Sequence, residues 1–428
     1  MIRKNYYYNF FFIILILLVY YRSPYIFNNG RFFSLDLNHH LTIQSLTLIE
    51  SIFYIDFSAR YLNLISNISS IISSRFFDLE NAQYVAVYLS LTIYLIIFYY
   101  ILYKESQLFI SKYQKCFATL ICLLAPVMSF EIWLNAINLQ VYLGLLTTII
   151  FFLKPVNQNK NLNYFLLILG GLSGIYSCIL TPFFLIKYLN NKDRYNFNCF
   201  LILCLSSIIQ IYIIYIAATM KGEPIGSPDN NNMALTLIFT KYEAISYFYN
   251  VFVRTFFGST FPKYIANFFE LDLKTVLNYE NIKNILFFIS IFSISIFIIA
   301  FYMTIKTIKK KEDKIIILNL FILFVLISTV VLIGGVSDSL HGRYSSLPGL
   351  AIVFLILYLF EKSEKTLIKI FSIALICCSL FFGLLDYRLK NYMVYLDCLG
   401  CPDWKEEVRK YKENSNYELN AWPYHIDR

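Results

Sequence analysis

The stretch QYVAVYLSLTIYLIIFYYILYK, Gln83–Lys104, runs for 21 residues before it meets a charge. A helix that crosses the hydrocarbon core of a bilayer needs about 20 mostly apolar residues, so this stretch predicts one membrane span. The whole chain is similarly apolar, with 58% hydrophobic and only 15% charged residues. A soluble globular domain is less apolar and more charged. The sequence therefore predicts a polytopic membrane protein.

Eight more uncharged runs predict further spans: Tyr6–Tyr21, Cys116–Phe130, Asn138–Leu153, Asn196–Ala218, Ile285–Met303, Ile315–Gly334, Ser345–Phe360 and Ile370–Leu385. The run Tyr164–Ile186 differs, because Gly170, Gly171, Gly174 and Pro182 interrupt it. Glycine and proline break a membrane helix where neighbouring helices satisfy the freed backbone groups. This run predicts two short half-helices. The fold class is all-α, a transmembrane bundle of about 11 membrane segments.

Charge alternates between the segments that connect these runs. If the N-terminus is inside, the inner segments hold 18 of the 36 basic residues but only 6 of the 27 acidic ones. Inner loops of membrane proteins carry an excess of Lys and Arg, which predicts a cytoplasmic N-terminus. The net charge of +9 is then a topology signal, and it gives no support to nucleic-acid binding.

This topology divides the chain into a membrane domain, 1–385, and an extracytoplasmic tail, 386–428. The long outer loops, about 22–82 and 219–284, mix aromatic and aliphatic stretches with scattered charges, which predicts interfacial helices on the membrane surface. In the tail, Cys398 and Cys401 form a lone C-x-x-C. Without a second pair this motif lacks the ligands of a zinc site, so we predict a local disulfide.

The first polar constellation is Asp36-Leu37-Asn38-His39-His40, in the first outer loop. A carboxylate here can serve as a general base towards an acceptor hydroxyl or hold a divalent metal. His39 and His40 are candidates for binding phosphate or the metal. The alternative is a solvated loop with turn-forming Asp and Asn residues. No cofactor is predicted, and a divalent metal stays an open alternative.

The second constellation is Glu131, Asn135 and Asn138, with Trp133 nearby. On a continuing helix, steps of four and three residues bring these three polar side chains to one face. Such a face beside an indole suits a sugar. Interfacial capping and an aromatic belt at the membrane edge explain the same residues.

The third constellation is Asp338, His341, Arg343 and Tyr344, in a short predicted outer loop. An arginine is unexpected there under the positive-inside rule, and a guanidinium is a natural partner for a phosphate. The alternative is an Arg343–Asp338 ion pair that only holds the loop.

Several function classes lack their motifs in this sequence. It contains no Walker loop, no G-x-G-x-x-G after a strand, no H-E-x-x-H and no G-x-S-x-G, which argues against nucleotide-driven chemistry, zinc proteolysis and α/β-hydrolase chemistry. No charged residue lies near the middle of a well-defined span. Ion-coupled transporters usually place ionisable groups there.

The arrangement resembles the GT-C class of polytopic membrane glycosyltransferases and their uncharacterised bacterial relatives. The resemblance rests on Gly170–Gly174 with Thr181–Leu185, on Gly342-Arg343-Tyr344, and on Pro402–Lys405 with Ala421-Trp422-Pro423. It implies one span, then a long outer loop of interfacial helices that carries an acidic catalytic residue. The family often has paired acids in that loop, whereas Asp36 stands beside two histidines.

The resemblance implies an enzyme of the bacterial inner (cytoplasmic) membrane that moves a sugar from a polyprenyl-phosphate carrier to an outer-face glycan, lipid or protein. Asp36 would be the base, and Arg343 with His341 would hold the leaving phosphate. Two alternatives stay open. One is a polymerase or ligase of lipid-linked polysaccharide, which uses similar residues. The other is a transporter or flippase without enzymatic activity.

Overall fold

The fold of the chain was analysed as a computed structural model. It describes residues 5–56, 60–126, 132–154, 159–220, 249–258, 298, 302, 305–306, 308–333, 343–388, 403–414 and 417–421. Within these residues the fold is helical except for one antiparallel two-stranded ribbon, in which β1 (Ile55–Asp56) pairs with β2 (Tyr61–Leu62). The all-α prediction is confirmed for this part of the chain.

The first half of the chain contains twelve described helices: α1 (Asn5–Arg22), α2 (Pro24–Asn29), α3 (Ser34–Gln44), α4 (Leu48–Ile52), α5 (Leu64–Phe76), α6 (Leu79–Tyr103), α7 (Lys112–Leu124), α8 (Leu139–Phe151), α9 (Lys160–Gly171), α10 (Ile175–Cys178), α11 (Thr181–Asn191) and α12 (Arg194–Met220). A π-helix, Tyr249–Arg254, then leads into a short helical turn, Thr255–Phe257. The remaining helices are α13 (Lys311–Ile333), α14 (Arg343–Lys362), α15 (Thr366–Leu385) and α16 (Trp404–Glu413).

Five of these helices are long and apolar enough to cross a membrane: α6, α12, α13, α14 and α15. The bent pair α9 and α10–α11 raises the number to six if it counts as one span, and α1 and α8 are shorter apolar helices. A membrane protein is therefore indicated. The predicted total of about 11 segments is not supported within the described part of the chain, and the predicted run Ile285–Met303 falls almost wholly outside it.

Four lysines from the segments that the charge pattern predicts to be inner lie at one end of the bundle, called here the lysine end: Lys104, Lys115, Lys154 and Lys187. The ammonium of Lys115 donates to the carbonyl of Lys104 at 2.8 Å. The amide of Lys154 donates to the Glu105 carbonyl, and the Lys187 ammonium to the Phe151 carbonyl. The grouping of these loops by charge is thus reproduced in space.

The interrupted run forms a helical pair bent by 119°, as its glycines and proline predict. The pair starts and ends towards the lysine end, because Asn163 on α9 accepts from the Tyr100 hydroxyl and Lys187 on α11 contacts Phe151. The bend fits closely against its neighbours. A Cβ on Gly171 would lie 2.6 Å from the side chain of Ser206, and Gly174 has a φ of +136° that disfavours any other residue.

The opposite end of the bundle, called here the Asp36 end, gathers the termini of α1, α7 and α15. Arg22, the last residue of α1, donates to the carbonyl of Leu123 near the end of α7 at 3.1 Å. The Tyr387 hydroxyl, just after α15, donates to the Leu18 carbonyl at 2.6 Å. Helices α2–α5 connect α1 to α6 at this end, and α5 packs against both α3 and α6.

Helix α14 is the most enclosed of the candidate spans. Of its apolar 18-residue segment, 83% is buried in the protein, against 22% for the corresponding segment of α15 and 28% for that of α12. It packs against α13, α15, α7 and α8. Helices α12 and α15 instead expose rows of Leu, Ile and Tyr side chains. Apolar faces of this size are unfavourable in water but are solvated by lipid, which agrees with their assignment as spans.

Candidate functional site

Asp36 lies in the first turn of α3 and is only 4% exposed. Its two carboxylate oxygens accept hydrogen bonds from successive backbone amides, Oδ2 from Ala136 at 3.1 Å and Oδ1 from Ile137 at 2.9 Å. Each oxygen retains a second lone pair for another donor. Asp36 therefore joins the first predicted outer loop to the segment that carries the second polar constellation.

Burial dominates the acidity of this carboxyl group. Removal from water raises the pKa of Asp36 to about 7, although the hydrogen bonds from the Ala136 and Ile137 amides oppose the rise. A low-dielectric environment penalises the charged form, whereas N–H donors favour it. Near neutral pH the group is divided between its acid and its carboxylate, which is the range in which a general base works best.

The second constellation does not form the helical face that its spacing predicts. Helix α7 ends at Leu124, before Pro126, and α8 begins only at Leu139. Between them Leu134 has a φ of +50°, a left-handed conformation that no α-helix contains. The continuing helix is therefore a wrong prediction, and residues 132–138 form turns.

Within these turns Asn135 and Asn138 are 1% and 6% exposed. Asn135 Oδ1 accepts from the amide of Asn138 at 3.1 Å, and Asn63 donates to the Ile137 carbonyl at 2.9 Å. The turn is thus held by Asp36 from one side and by amide side chains from the other. Glu131, which was predicted to share the face, lies outside the described residues.

His39 and His40 are buried and hydrogen-bonded to α5 rather than open to a ligand. Asn67 donates to the carbonyls of Ile52 and Tyr54, so its Oδ1 accepts from His39 Nε2 at 2.6 Å. His40 Nδ1 and Ser73 Oγ are 2.7 Å apart, and the Ser73 hydroxyl also donates to the Ser70 carbonyl. Both imidazoles therefore serve here as donors in a packed interface.

Burial lowers the pKa of both imidazoles, that of His40 to about 4. For His39 the hydrogen bond to Asn67 and the charge of Asp56 oppose the desolvation that lowers its pKa. Both rings are consequently neutral near pH 7. A neutral imidazole is a poor counter-ion for phosphate, so the phosphate-binding role predicted for these residues has no electrostatic support.

Arg22 is a buried cation that the sequence analysis did not single out. It is 4% exposed, and its guanidinium carbon lies 4.3 Å from the centroid of the Trp133 ring and 5.2 Å from that of Tyr387. The Trp133 ring in turn contacts Tyr94, which also contacts Tyr142. An arginine that ends an apolar run looks like an ordinary interfacial anchor, so nothing local in the sequence marks it as buried.

The third constellation is described only in part. Asp338 and His341 lie outside the described residues, and for Arg343 and Tyr344 only the backbone is described, as the first residues of α14. The next turn of α14 is placed more fully, because Leu347 packs against Gly144 on α8. Helix α14 therefore begins near the end of α8 that follows the Asp36-bound turn.

The tail docks on this same end. Arg31 Nη1 lies 2.7 Å from Glu407 Oε1, and their side chains are 7% and 0% exposed. Trp404 donates from its indole nitrogen to the Leu79 carbonyl at 3.1 Å. Helix α16 in the tail was not predicted, although its apolar residues Trp404, Val408 and Tyr411, four and three positions apart, are a helical signal. Cys398 and Cys401, the predicted disulfide, lie outside the described residues.

Among the residues that the structure describes, no group of three or more His, Cys, Asp or Glu side chains converges as a metal site would require. Asp36 and His39 are each engaged with protein partners instead. No protein-family model, curated protein or solved structure matches this chain.

Proposed function

We propose that this protein is a membrane glycosyltransferase of the GT-C type, which moves a sugar from a polyprenyl-phosphate carrier to an acceptor at the Asp36 end of the bundle. One observation carries the proposal. A buried carboxyl group whose pKa is raised to about 7 lies among backbone and side-chain amides at the end of a helical bundle that fits a membrane.

The proposed base is Asp36. An inverting displacement needs a carboxylate that takes the proton of the acceptor hydroxyl as the bond to the sugar forms. The lone pairs that Asp36 does not use towards Ala136 and Ile137 are available for that proton. Asn135 and Asn138, on the turn that Asp36 binds, supply amide groups of the kind that hydrogen-bond sugar hydroxyls.

The proposed phosphate ligand is Arg343. It begins α14, whose next turn packs on α8 through Leu347 and Gly144, and α8 follows directly after the Asp36-bound turn. A guanidinium at this end would stabilise the charge that develops on the leaving phosphate. A lipid-linked donor would enter from the bilayer, so no nucleotide-binding fold is needed.

The sequence left a ligase or polymerase of lipid-linked polysaccharide, and a transporter or flippase, as alternatives. A ligase would use the same carboxylate and arginine with a diphosphate donor. A bacterial inner-membrane location and the orientation with the Asp36 end outside belong to the proposal as well.

The test is sugar transfer by the purified protein in lipid nanodiscs. Polyprenyl phosphates that carry single hexoses or pentoses serve as donors, glycans, lipids and proteins with free hydroxyl groups serve as acceptors, and the release of polyprenyl phosphate is measured by mass spectrometry. The variant Asp36→Asn should lose about 10²-fold or more of the rate, because general-base catalysis contributes that much. The wild-type rate should rise with pH through about 7.

Two control variants separate chemistry from folding. Asp78→Asn changes an exposed N-cap aspartate on α6 and should transfer at the wild-type rate. Ser73→Ala weakens the α3–α5 interface without touching Asp36 and should keep the pH profile. Full transfer by Asp36→Asn would overturn the assignment of the base. If the wild-type protein uses only a polyprenyl-diphosphate-linked glycan as donor and releases polyprenyl diphosphate, the ligase alternative holds instead.

A further inference from the structure

A groove of about 610 Å³ runs along the outside of α6. Its floor is the α6 face formed by Asn81, Tyr84, Val85, Tyr88, Leu89 and Thr92, and its walls are Phe27 of α2 and Ile72 and Phe77 from the end of α5. The opposite face of α6, with Ala82 and Ala86, is buried in the protein. The groove therefore opens on the side of a candidate span that faces away from the bundle.

The groove is apolar along its length. The hydroxyl of Thr92 donates to the Tyr88 carbonyl at 2.8 Å, and that of Tyr84 to the Asn28 carbonyl at 2.8 Å. These bonds use the hydroxyl protons at both places, and the second one also fixes α2 against α6. The Phe27 and Tyr88 rings, with centroids 6.2 Å apart, line one side. Apart from the Asn81 amide and the Tyr88 hydroxyl, the lining that remains for a ligand consists of aromatic rings and aliphatic groups.

The length of the groove matches one leaflet of a bilayer. From Asn81 to Thr92 is eleven residue steps, which at 1.5 Å each gives about 17 Å along α6. Half of the hydrocarbon core of a membrane is about 15 Å. An acyl chain of one leaflet fills such a length, whereas a polyprenyl chain of many isoprene units is much longer.

The different polarity of the two ends of the groove determines how a bound lipid would be oriented. The end at Asn81 adjoins the first turn of α6, where Glu80 pairs with Lys412 of α16 at 2.7 Å. The carbonyl of Leu79 accepts there from the indole of Trp404. Charged groups and an indole NH belong at the headgroup level. The end at Thr92 lies near the middle of α6, where only hydrocarbon is expected.

We propose that this groove is a binding site for one acyl chain of a membrane phospholipid, with the headgroup at the level of Glu80 and Lys412. The site does not depend on glycosyl transfer. The bound chain would hold α5 against α6, and Ile72 in its wall precedes Ser73, the hydrogen-bond partner of His40 on α3. Occupancy should therefore stabilise the region that carries Asp36.

The experiment is native mass spectrometry of the full chain, released from a mild detergent after equilibration with dipalmitoyl phosphatidylglycerol. Val85→Trp puts an indole into the groove floor. The matched control is Val325→Trp, at a 40% exposed position of another candidate span, α13. We expect wild type and Val325→Trp to retain the mass of one phospholipid and Val85→Trp to lose it. Added lipid should also raise the thermal midpoint of Val85→Trp less than that of the other two proteins.

Val85→Phe, a smaller change, replaces Val85→Trp if the latter does not fold. Equal phospholipid retention by wild type and the groove variants would overturn the proposal. So would a wild-type protein without bound phospholipid. Preferential retention of polyprenyl phosphate in an equimolar mixture would also overturn it, because the occupant would then be an isoprenoid chain.

Discussion

Arg31 and Glu407, 376 residues apart in sequence, form a buried ion pair with 2.7 Å between Nη1 and Oε1. Arg31 Nη1 also donates to the Asn420 carbonyl, and Glu407 Oε2 accepts from the Asn420 amide. Phe32 and Leu37 pack with Trp404 and Val408 around this pair. The tail thus folds as part of the Asp36 end, on the segment that leads into α3.

Replacing Glu407 by alanine should release the tail. The change leaves the Arg31 guanidinium buried without its carboxylate, and breaking a buried pair from one side costs about 3–5 kcal/mol. Limited proteolysis should then cut within α16, and the thermal midpoint should fall. Glu406→Ala is the control, since this neighbour is 46% exposed and, among the described residues, pairs with Lys410 on the same helix. Equal resistance of both variants would show that the pair does not hold the tail.

Replacing Asp36 by asparagine should change how stability depends on pH. The pKa of Asp36 is about 7 in the folded protein and about 3.9 in an unfolded chain, so the folded state binds the proton more tightly. The contribution of Asp36 to stability is therefore fully present below about pH 4 and is lost as the pH rises to about 7, by on the order of 4 kcal/mol. Asparagine does not titrate in this range, so the Asp36→Asn variant should not lose this stability as the pH rises.

The measurement is the thermal midpoint of both proteins between pH 4 and 7.5. The difference, variant minus wild type, should increase with pH up to about 7 and then level off. His40 acts in the opposite direction, because its folded-state pKa of about 4 makes stability fall as pH drops below about 6.5. It acts in both proteins, so the comparison isolates Asp36. Parallel curves would contradict the raised pKa.

Ser73→Ala should destabilise the protein more than Ser74→Ala. The first change leaves the His40 Nδ1–H without its buried acceptor, a cost of about 1–3 kcal/mol. Ser74 is half-buried, and its hydroxyl donates to the Ile71 carbonyl across a long 3.4 Å, so its loss should cost little. Both proteins are compared by thermal unfolding at pH 7. An equal shift for the two variants would indicate that His40 has another partner.

Arg22→Met should alter the fluorescence of Trp133 and lower stability by about 2 kcal/mol, the value expected for a desolvated cation–π contact. Methionine keeps much of the length but removes the charge that lies 4.3 Å from the indole ring. Emission is compared in a background where Trp404 and Trp422 are replaced by phenylalanine. A double-mutant cycle with Trp133→Phe checks the contact, and additive effects would show that the two residues do not interact.

The helical character of the chain and the position of most apolar helices were predictable, because burial of about 20 residues in hydrocarbon is encoded locally and continuously. The helix α6 extends a predicted run by only four residues at its start. The break after Gly171 was also predictable, because glycine and proline interrupt a helix locally. The common end of Lys104, Lys115 and Lys154 followed from the charge pattern, and that of Lys187 also required the predicted break at Gly170–Gly174.

The candidate site was predictable only as separate pieces. Asp36, Asn135 and Asn138 were singled out, but the turn at Leu134 and the hydrogen bonds that join Asp36 to Ala136 and Ile137 were not. The burial of Arg22 and of Glu407 was likewise decided by the tertiary structure. Such contacts link residues a hundred or more positions apart, and backbone donors carry no side-chain signal. The sequence by itself determined which segments avoid water, whereas only the packing of those segments determined which polar groups meet.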